Sequence, residues 1–141
     1  MGNSTIIFER FEDMPNDEMT WRRRWPNFSP AELSCTHCGK LLVDPFALDN
    51  LQKVRIMYAR PLYIASAYRC EEHNAAVGGA PNSSHLRGRA FDPKRPKSGK
   101  ELFELLAAIW QIEPFGFGMG ANKLHVDWDF ERGHRVWMYG G

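Results

Sequence analysis

Apolar residues recur along this chain at two different periods, and the switches between them mark out elements. After Asp44-Pro45, the positions Phe46, Leu48, Leu51, Val54 and Met57 or Tyr58 follow a roughly helical spacing. Asp before Pro is a helix-start signal, so a helix is expected there, ending before Pro61. Ser98-x-x-Glu101 is a capping box. It opens the clearest helix, through Leu102, Phe103, Leu105, Leu106, Ile109 and Trp110, and Pro114 stops it. Ser29-Pro30-Ala31-Glu32 repeats the box with Pro at the first helical position and predicts a short helix. Glu71 to Val77 reads as another, ended by Gly78-Gly79.

Strand character fills the intervals. Pro61 to Ser66 is short, apolar and β-rich. Pro81 to Ser84 is a loop, and Arg89 to Asp92 reads as a strand. Phe115 to Met119 alternates aromatic or Met with glycine. Lys123 to Asp129 alternates cleanly: Leu124, Val126 and Trp128 lie on one face, His125, Asp127 and Asp129 on the other. Arg135 to Tyr139 is a candidate last strand. Residues 1 to about 27 are polar and weakly periodic, so an arm is expected, with a short strand at Thr5 to Phe8. The element order predicts an α+β domain with a small, mainly antiparallel sheet and flanking helices.

Length and composition narrow the class. The chain has 141 residues, enough for one domain with a core. The formal net charge of +1 provides no global field toward nucleic acid or anionic lipid. Arg22, Arg23 and Arg24 form a local cluster, read as a solvated or phosphate-touching surface patch. No segment has the ~20 apolar residues needed to cross a bilayer. The first residues lack a basic region followed by an apolar stretch, so no secretory signal is expected. Met1-Gly2 fails as a myristoylation motif because Ile6 stands where Ser or Thr is needed.

Candidate chemistry centres on SSHLRGRAFD. His85 and Asp92 are seven positions apart there, and His125 lies 33 residues beyond Asp92. Two histidines and one carboxylate, with an open fourth position, are the donor set of a catalytic zinc site. A non-haem iron site uses the same donor types, and spacing alone also admits hydrogen-bonded structural histidines.

Further stretches carry a family resemblance. They are Ser66-Ala67-Tyr68-Arg69, Glu72-His73-Asn74, Val77-Gly78-Gly79-Ala80, Asn82-Ser83-Ser84-His85, Gly88-Arg89-Ala90 with Asp92, and Leu124-His125-Val126-Asp127. In this order they resemble the zinc D-Ala-D-Ala carboxypeptidase family, which cuts bacterial peptidoglycan peptides. That family includes phage lysis enzymes and shares its fold with the hedgehog signalling domain. The resemblance covers roughly residues 27 to 130. It implies a hedgehog/DD-peptidase-like fold, an extension over residues 1–26 and a zinc peptidase domain over residues 27–141. By it, His85, Asp92 and His125 are the zinc ligands, and Arg69 contacts a substrate carboxylate or the reacting carbonyl. Ser66 and Ser84 are expected to orient groups nearby or simply to form turns.

The general base is where this chain departs from the family. Relatives place an acid three residues before the last histidine, or a His two before it. Here those positions hold Asn122 and Lys123. A desolvated lysine can act as a base. Asp127 is the expected base, taking a proton from water and returning it to the leaving amine. Its other reading is a carboxylate that orients a ligand or is purely structural.

Cys35-x2-Cys38 and Cys70-x2-His73 form a separate pair of ligand-spaced motifs. Together they would hold a second zinc. Three buried thiols in a core are the other reading. An odd cysteine count in a chain without a signal argues against a disulfide framework.

The expected activity is zinc-dependent hydrolysis of an amide bond in peptidoglycan stem peptides, as D,D-carboxypeptidase or endopeptidase. The expected setting is a monomeric phage lysis or wall-piercing enzyme, made in the cytoplasm and acting on the cell wall, with no nucleic-acid or membrane partner. One rival is a zinc-binding but non-catalytic virion or binding protein of the same fold. Another is a nucleic-acid module built on the cysteine pairs and Arg22 to Arg24, against which the near-zero net charge argues.

Overall fold

The computed structural model describes residues 6–8 and 18–140. Its element order is β1 (Ile6–Phe8), α1 (Glu18–Arg24), α2 (Pro30–Leu33), β2 (Leu41–Val43), α3 (Pro45–Tyr58), β3 (Ile64–Ser66) and α4 (Glu71–Ala76). A 3-10 turn (Ser84–Arg87), β4 (Ala90–Pro93), α5 (Gly99–Gln111), β5 (Gly116–Met119), β6 (Leu124–Asp127), a second 3-10 turn (Phe130–Arg132) and β7 (Arg135–Met138) follow.

The fold is α+β. Five strands form a sheet in the order β3-β4-β6-β5-β7, and β1 pairs with β2 separately. Every pair in the main sheet is antiparallel except β5 with β7. The mainly antiparallel sheet expected from sequence is therefore mixed at one edge. No helix among the described residues is long and apolar enough to cross a membrane.

Local hydrogen bonds explain the helix starts. Ser29 Oγ accepts from the Glu32 amide while Glu32 Oε1 accepts from the Ser29 amide, a complete capping box. Asp44 caps α3 by accepting from the Phe46 and Ala47 amides. At α5 only half of the expected box forms. Ser98 Oγ accepts from the Glu101 amide, but the Glu101 carboxylate contacts the Ser98 hydroxyl rather than the Ser98 backbone.

The core lies between α3, α5 and one face of the sheet. Leu48, Leu51 and Val54 of α3, Leu105 and Ile109 of α5, and Phe91, Phe117, Leu124 and Val126 of the strands belong to one buried cluster. Trp128, just past β6, joins it as the alternation predicts. The other sheet face carries Asp92, His125 and Asp127, so burying one strand face against helices directs the opposite face toward the chemistry.

Besides the second 3-10 turn, three elements were not visible as patterns. The first is β2, which pairs with β1 through Ile6↔Val43 and Phe8↔Leu41. The second is α1, inside the stretch expected to be an arm. Its Trp21, with Trp25 and Phe28 just beyond it, is buried in the core. The Trp21 indole donates to the Phe28 carbonyl at 2.7 Å. Arg24, from the arginine cluster, makes a two-pronged contact with Asp49 at 2.8 Å on each prong. The third is the 3-10 turn at Ser84–Arg87, where a loop was expected to end. Thr5, the first residue of the expected N-terminal strand, lies outside the described residues.

Candidate metal centre

Three elements deliver three candidate ligands to one point. The 3-10 turn carries His85, and the Ser83 hydroxyl caps it by accepting from the His85 amide at 3.2 Å. Asp92 comes from β4 and His125 from β6. A potential ligand atom from each lies within 4.8 Å of the others. Asp92 Oδ1 is the meeting point, 3.1 Å from His85 Nε2 and 3.2 Å from His125 Nδ1.

The far nitrogen of each histidine is held from behind. His85 Nδ1 lies 2.6 Å from the Ala67 carbonyl oxygen, which only accepts, so Nδ1 donates to it and Nε2 faces the centre. His125 Nε2 lies 2.8 Å from Asp127 Oδ2, which leaves Nδ1 toward the centre in the same way. The two rings stand edge to face with centroids 5.2 Å apart.

Asp127 itself is fully buried. Its Oδ1 accepts from Arg135 at 2.8 Å and from the Asp129 amide at 3.2 Å. Both oxygens are thus committed to the protein. Burial alone would raise its pKa, but the His125 and Arg135 contacts outweigh burial and hold it below the usual carboxylate range. Asp92 is also pushed well below that range: burial opposes ionisation, and the two imidazoles outweigh it. His125 moves upward, because Asp127 and Asp92 outweigh the burial that would lower it.

Glycines make this packing possible. Along the sheet, Asp127, Gly116 and Arg135 are in register, as are His125, Gly118 and Trp137. A Cβ on Gly116 would meet Asp127 Oδ2 at 2.1 Å, and one on Gly118 would meet Trp137 Nε1 at 2.4 Å. The aromatic-glycine alternation of β5 is therefore a gap across which β6 and β7 side chains meet. The Trp137 ring lies 5.0 Å from that of His125.

Arg69 sits just after β3. Its Nε donates to Ser66 Oγ at 3.1 Å, one terminal nitrogen to Asn74 Oδ1 at 3.2 Å and the other to Asp92 Oδ2 at 3.0 Å. A guanidinium has five N–H donors, so two remain. Ser84 is not at the centre: its hydroxyl donates to Asp129 at 2.7 Å.

The centre opens into a cleft of about 340 Å³ lined by Arg69, His85, Asp92, Lys123, His125, Arg132, Arg135, Trp137 and Tyr139, with the Val77–Ala80 segment along one side. Asp92 is the only carboxylate among these lining residues. A groove of about 670 Å³ adjoins it through Asp92 and Lys123 and is lined by Lys94, Arg95 and Lys97. Asn122 lines that groove, while Lys123 places its ammonium 4.4 Å from the centre of the Tyr139 ring.

A protein-family model described as peptidase M15 matches residues 26–127, most of the chain. The chain belongs to the peptidase M15 family. No curated protein matches it. M15 peptidases are zinc-dependent hydrolases, and the donor chemistry here fits that metal. Two imidazole nitrogens and a carboxylate oxygen converge, and the far nitrogen of each histidine faces an acceptor oxygen, the partner a metal-bound imidazole takes. For this M15 peptidase, Asn74, Arg135, Trp137, Gly116 and Gly118 are parts of the site that the sequence reading missed. Glycine at alternate positions of a strand was a signal for the β5 gap, since it marks close approach by another group, and Asn74 stood in the Glu72-His73-Asn74 stretch of the resemblance.

Proposed function

We propose that this M15 peptidase hydrolyses an amide bond in the stem peptides of bacterial peptidoglycan, with His85, Asp92 and His125 as its zinc ligands. The observation that carries the reading is their convergence at the floor of a cationic cleft. Formal net charge is only +1, yet the cleft and the adjoining groove gather Arg69, Lys123, Arg132, Lys94, Arg95 and Lys97. Stem peptides carry free carboxylates, which such a cleft would hold. The resemblance to phage lysis enzymes supports a lytic role at the cell wall.

Zinc bound by these ligands supplies Lewis acidity, acidifying water and polarising an amide carbonyl. The chain's own residues do the rest. Ala67 and Asp127 hold the two imidazoles in place. Arg69 steadies Asp92 and turns its two remaining donors toward the substrate carboxylate or the carbonyl oxygen. Asp127, with both oxygens committed, is a positioning residue in this reading rather than the base. Proton transfer then falls to a group that lines the cleft. Lys123 and Tyr139 line the cleft with side-chain protons to exchange, whereas the Ser83 hydroxyl, also in the lining, caps the 3-10 turn.

The test is digestion of purified peptidoglycan, with mass analysis of the products. Wild type, chelator-stripped protein restored with zinc, and His85→Ala are compared. Release of one defined fragment, dependent on zinc and lost in His85→Ala, is expected and names the bond. No product from folded, zinc-loaded wild type would overturn the proposal in favour of a binding or virion role.

A further inference from the structure

A second cluster of metal-ligating side chains lies outside the cleft. Cys35 and Cys38 flank a turn after α2, and Cys70 is the N-cap of α4. Their sulfurs lie within 4.8 Å of one another, and all three are free thiols. Nothing in the peptidase reading uses them.

We infer that Cys35, Cys38 and Cys70 form a structural zinc site that fastens the start of α4 to the turn after α2, with the His37 ring, beside Cys70, the imidazole placed to complete it. Tetrahedral zinc, with Zn–S about 2.3 Å and Zn–N about 2.0 Å, sets sulfur and nitrogen ligands about 3.6 Å apart and sulfurs about 3.8 Å apart. His37 Nδ1 lies 3.5 Å from Cys70 Sγ, at that separation.

His73, the fourth ligand expected from spacing, is turned away. Its Nε2 lies 3.4 Å from Thr36 Oγ1, and its ring stacks on that of His37 with centroids 6.2 Å apart. Its backbone amide, however, donates to Cys70 Sγ at 3.4 Å. His73 therefore supports a ligand rather than serving as one.

The backbone is arranged for thiolates. The Cys70 amide points at Cys35 Sγ at 3.5 Å, and the His73 amide donates to Cys70 Sγ at 3.4 Å. The turn closes through Gly39, whose φ of +76° is in the left-handed region and whose amide donates to the Cys35 carbonyl at 2.8 Å. Amides directed at a sulfur stabilise its anionic form, which is the form that binds metal.

The site's consequence is positional. Cys70 follows Arg69 directly, and the Arg69 amide donates to the His85 carbonyl at 3.2 Å. Fastening Cys70 thus fixes the backbone beside two parts of the catalytic centre.

The experiment uses the full chain and counts metal. Elemental analysis is expected to find two zinc ions per wild-type chain, one of them released by a mercurial that titrates thiols. Cobalt-substituted protein is expected to show a thiolate-to-cobalt charge-transfer band. His85→Ala is expected to keep that band with one metal, and Cys38→Ser to lose it while keeping the other. His37→Ala is expected to weaken the band's metal more than His73→Ala. Should Cys38→Ser fail to fold, the mercurial titration of wild type decides. A single zinc per chain with three thiols open to Ellman's reagent would overturn the inference, as would a disulfide among them. Because His85→Ala removes only the cleft's metal, failure of the peptidase proposal leaves this test standing.

Discussion

Asp127 reaches Arg135 across an intervening strand, at 2.8 Å, because the residue between them is Gly116. The same row continues to His125 through the other oxygen of Asp127. Arg135 thus neutralises a buried carboxylate that holds the His125 imidazole.

Removing that carboxylate separates two roles. A positioning residue acts through metal affinity, and losing such a partner costs ~10–100-fold. Asp127→Asn is therefore expected to weaken zinc binding by about that factor, read by competition with a chelator. Activity should largely return at saturating zinc. A general base would show the opposite: unchanged zinc affinity and a kcat that excess metal does not restore.

Filling the gap in β5 should have the same signature. A Cβ at position 116 would stand 2.1 Å from Asp127 Oδ2, so Gly116→Ala must displace the carboxylate or the strand. Zinc affinity is expected to fall at least as far as in Asp127→Asn. Gly118→Ala instead displaces Trp137, and the expected readout is a change in near-ultraviolet circular dichroism together with lower kcat/KM.

The cleft-lining groups make a complementary pair of variants. Lys123→Met and Tyr139→Phe retain every zinc ligand and every contact of Asp127. If either residue handles the proton, its variant loses ~10²–10⁴-fold in kcat with zinc affinity unchanged. Steady-state kinetics beside metal titration distinguish this from the Asp127 result.

Asp129 links stability to pH. It is fully buried and accepts from Ser84, Arg87 and Arg89. Burial alone would raise its pKa, but those contacts outweigh it and lower it. A lowered folded pKa contributes stability above the unfolded value of about 3.9 and loses it as pH falls through the folded value. Asp129→Asn should therefore be less stable than wild type at neutral pH, by on the order of 3 kcal/mol. The gap should stay constant down to about pH 5 and close below about pH 4. Denaturant unfolding at several pH values checks both the gap and its closure.

Removing a core tryptophan tests the N-terminal segment. Trp21 is 5% exposed and Trp25 3% exposed, both within the main core. Trp25→Ala is expected to cost about 3–5 kcal/mol, the range for a buried large aromatic. A Tm unchanged by that substitution would show that α1 and its neighbours are dispensable.

The sequence by itself determined what depends on neighbours along the chain. Caps at Ser29 and Asp44, the period of α5 and the alternation of Leu124, Val126 and Trp128 are all set within a few residues. The types of the three candidate ligands and their order along the chain were equally legible. Tertiary structure alone decided what depends on distant segments meeting. The chemistry of Asp127 turned on Arg135, which arrives through the parallel pairing of β5 with β7. His37 displaced His73 beside Cys70 because ring direction, not spacing, sets which nitrogen meets a sulfur. α1 escaped a period-based reading because its seven residues are too few to show a repeat, while burial of Trp21 against the core stabilises it regardless.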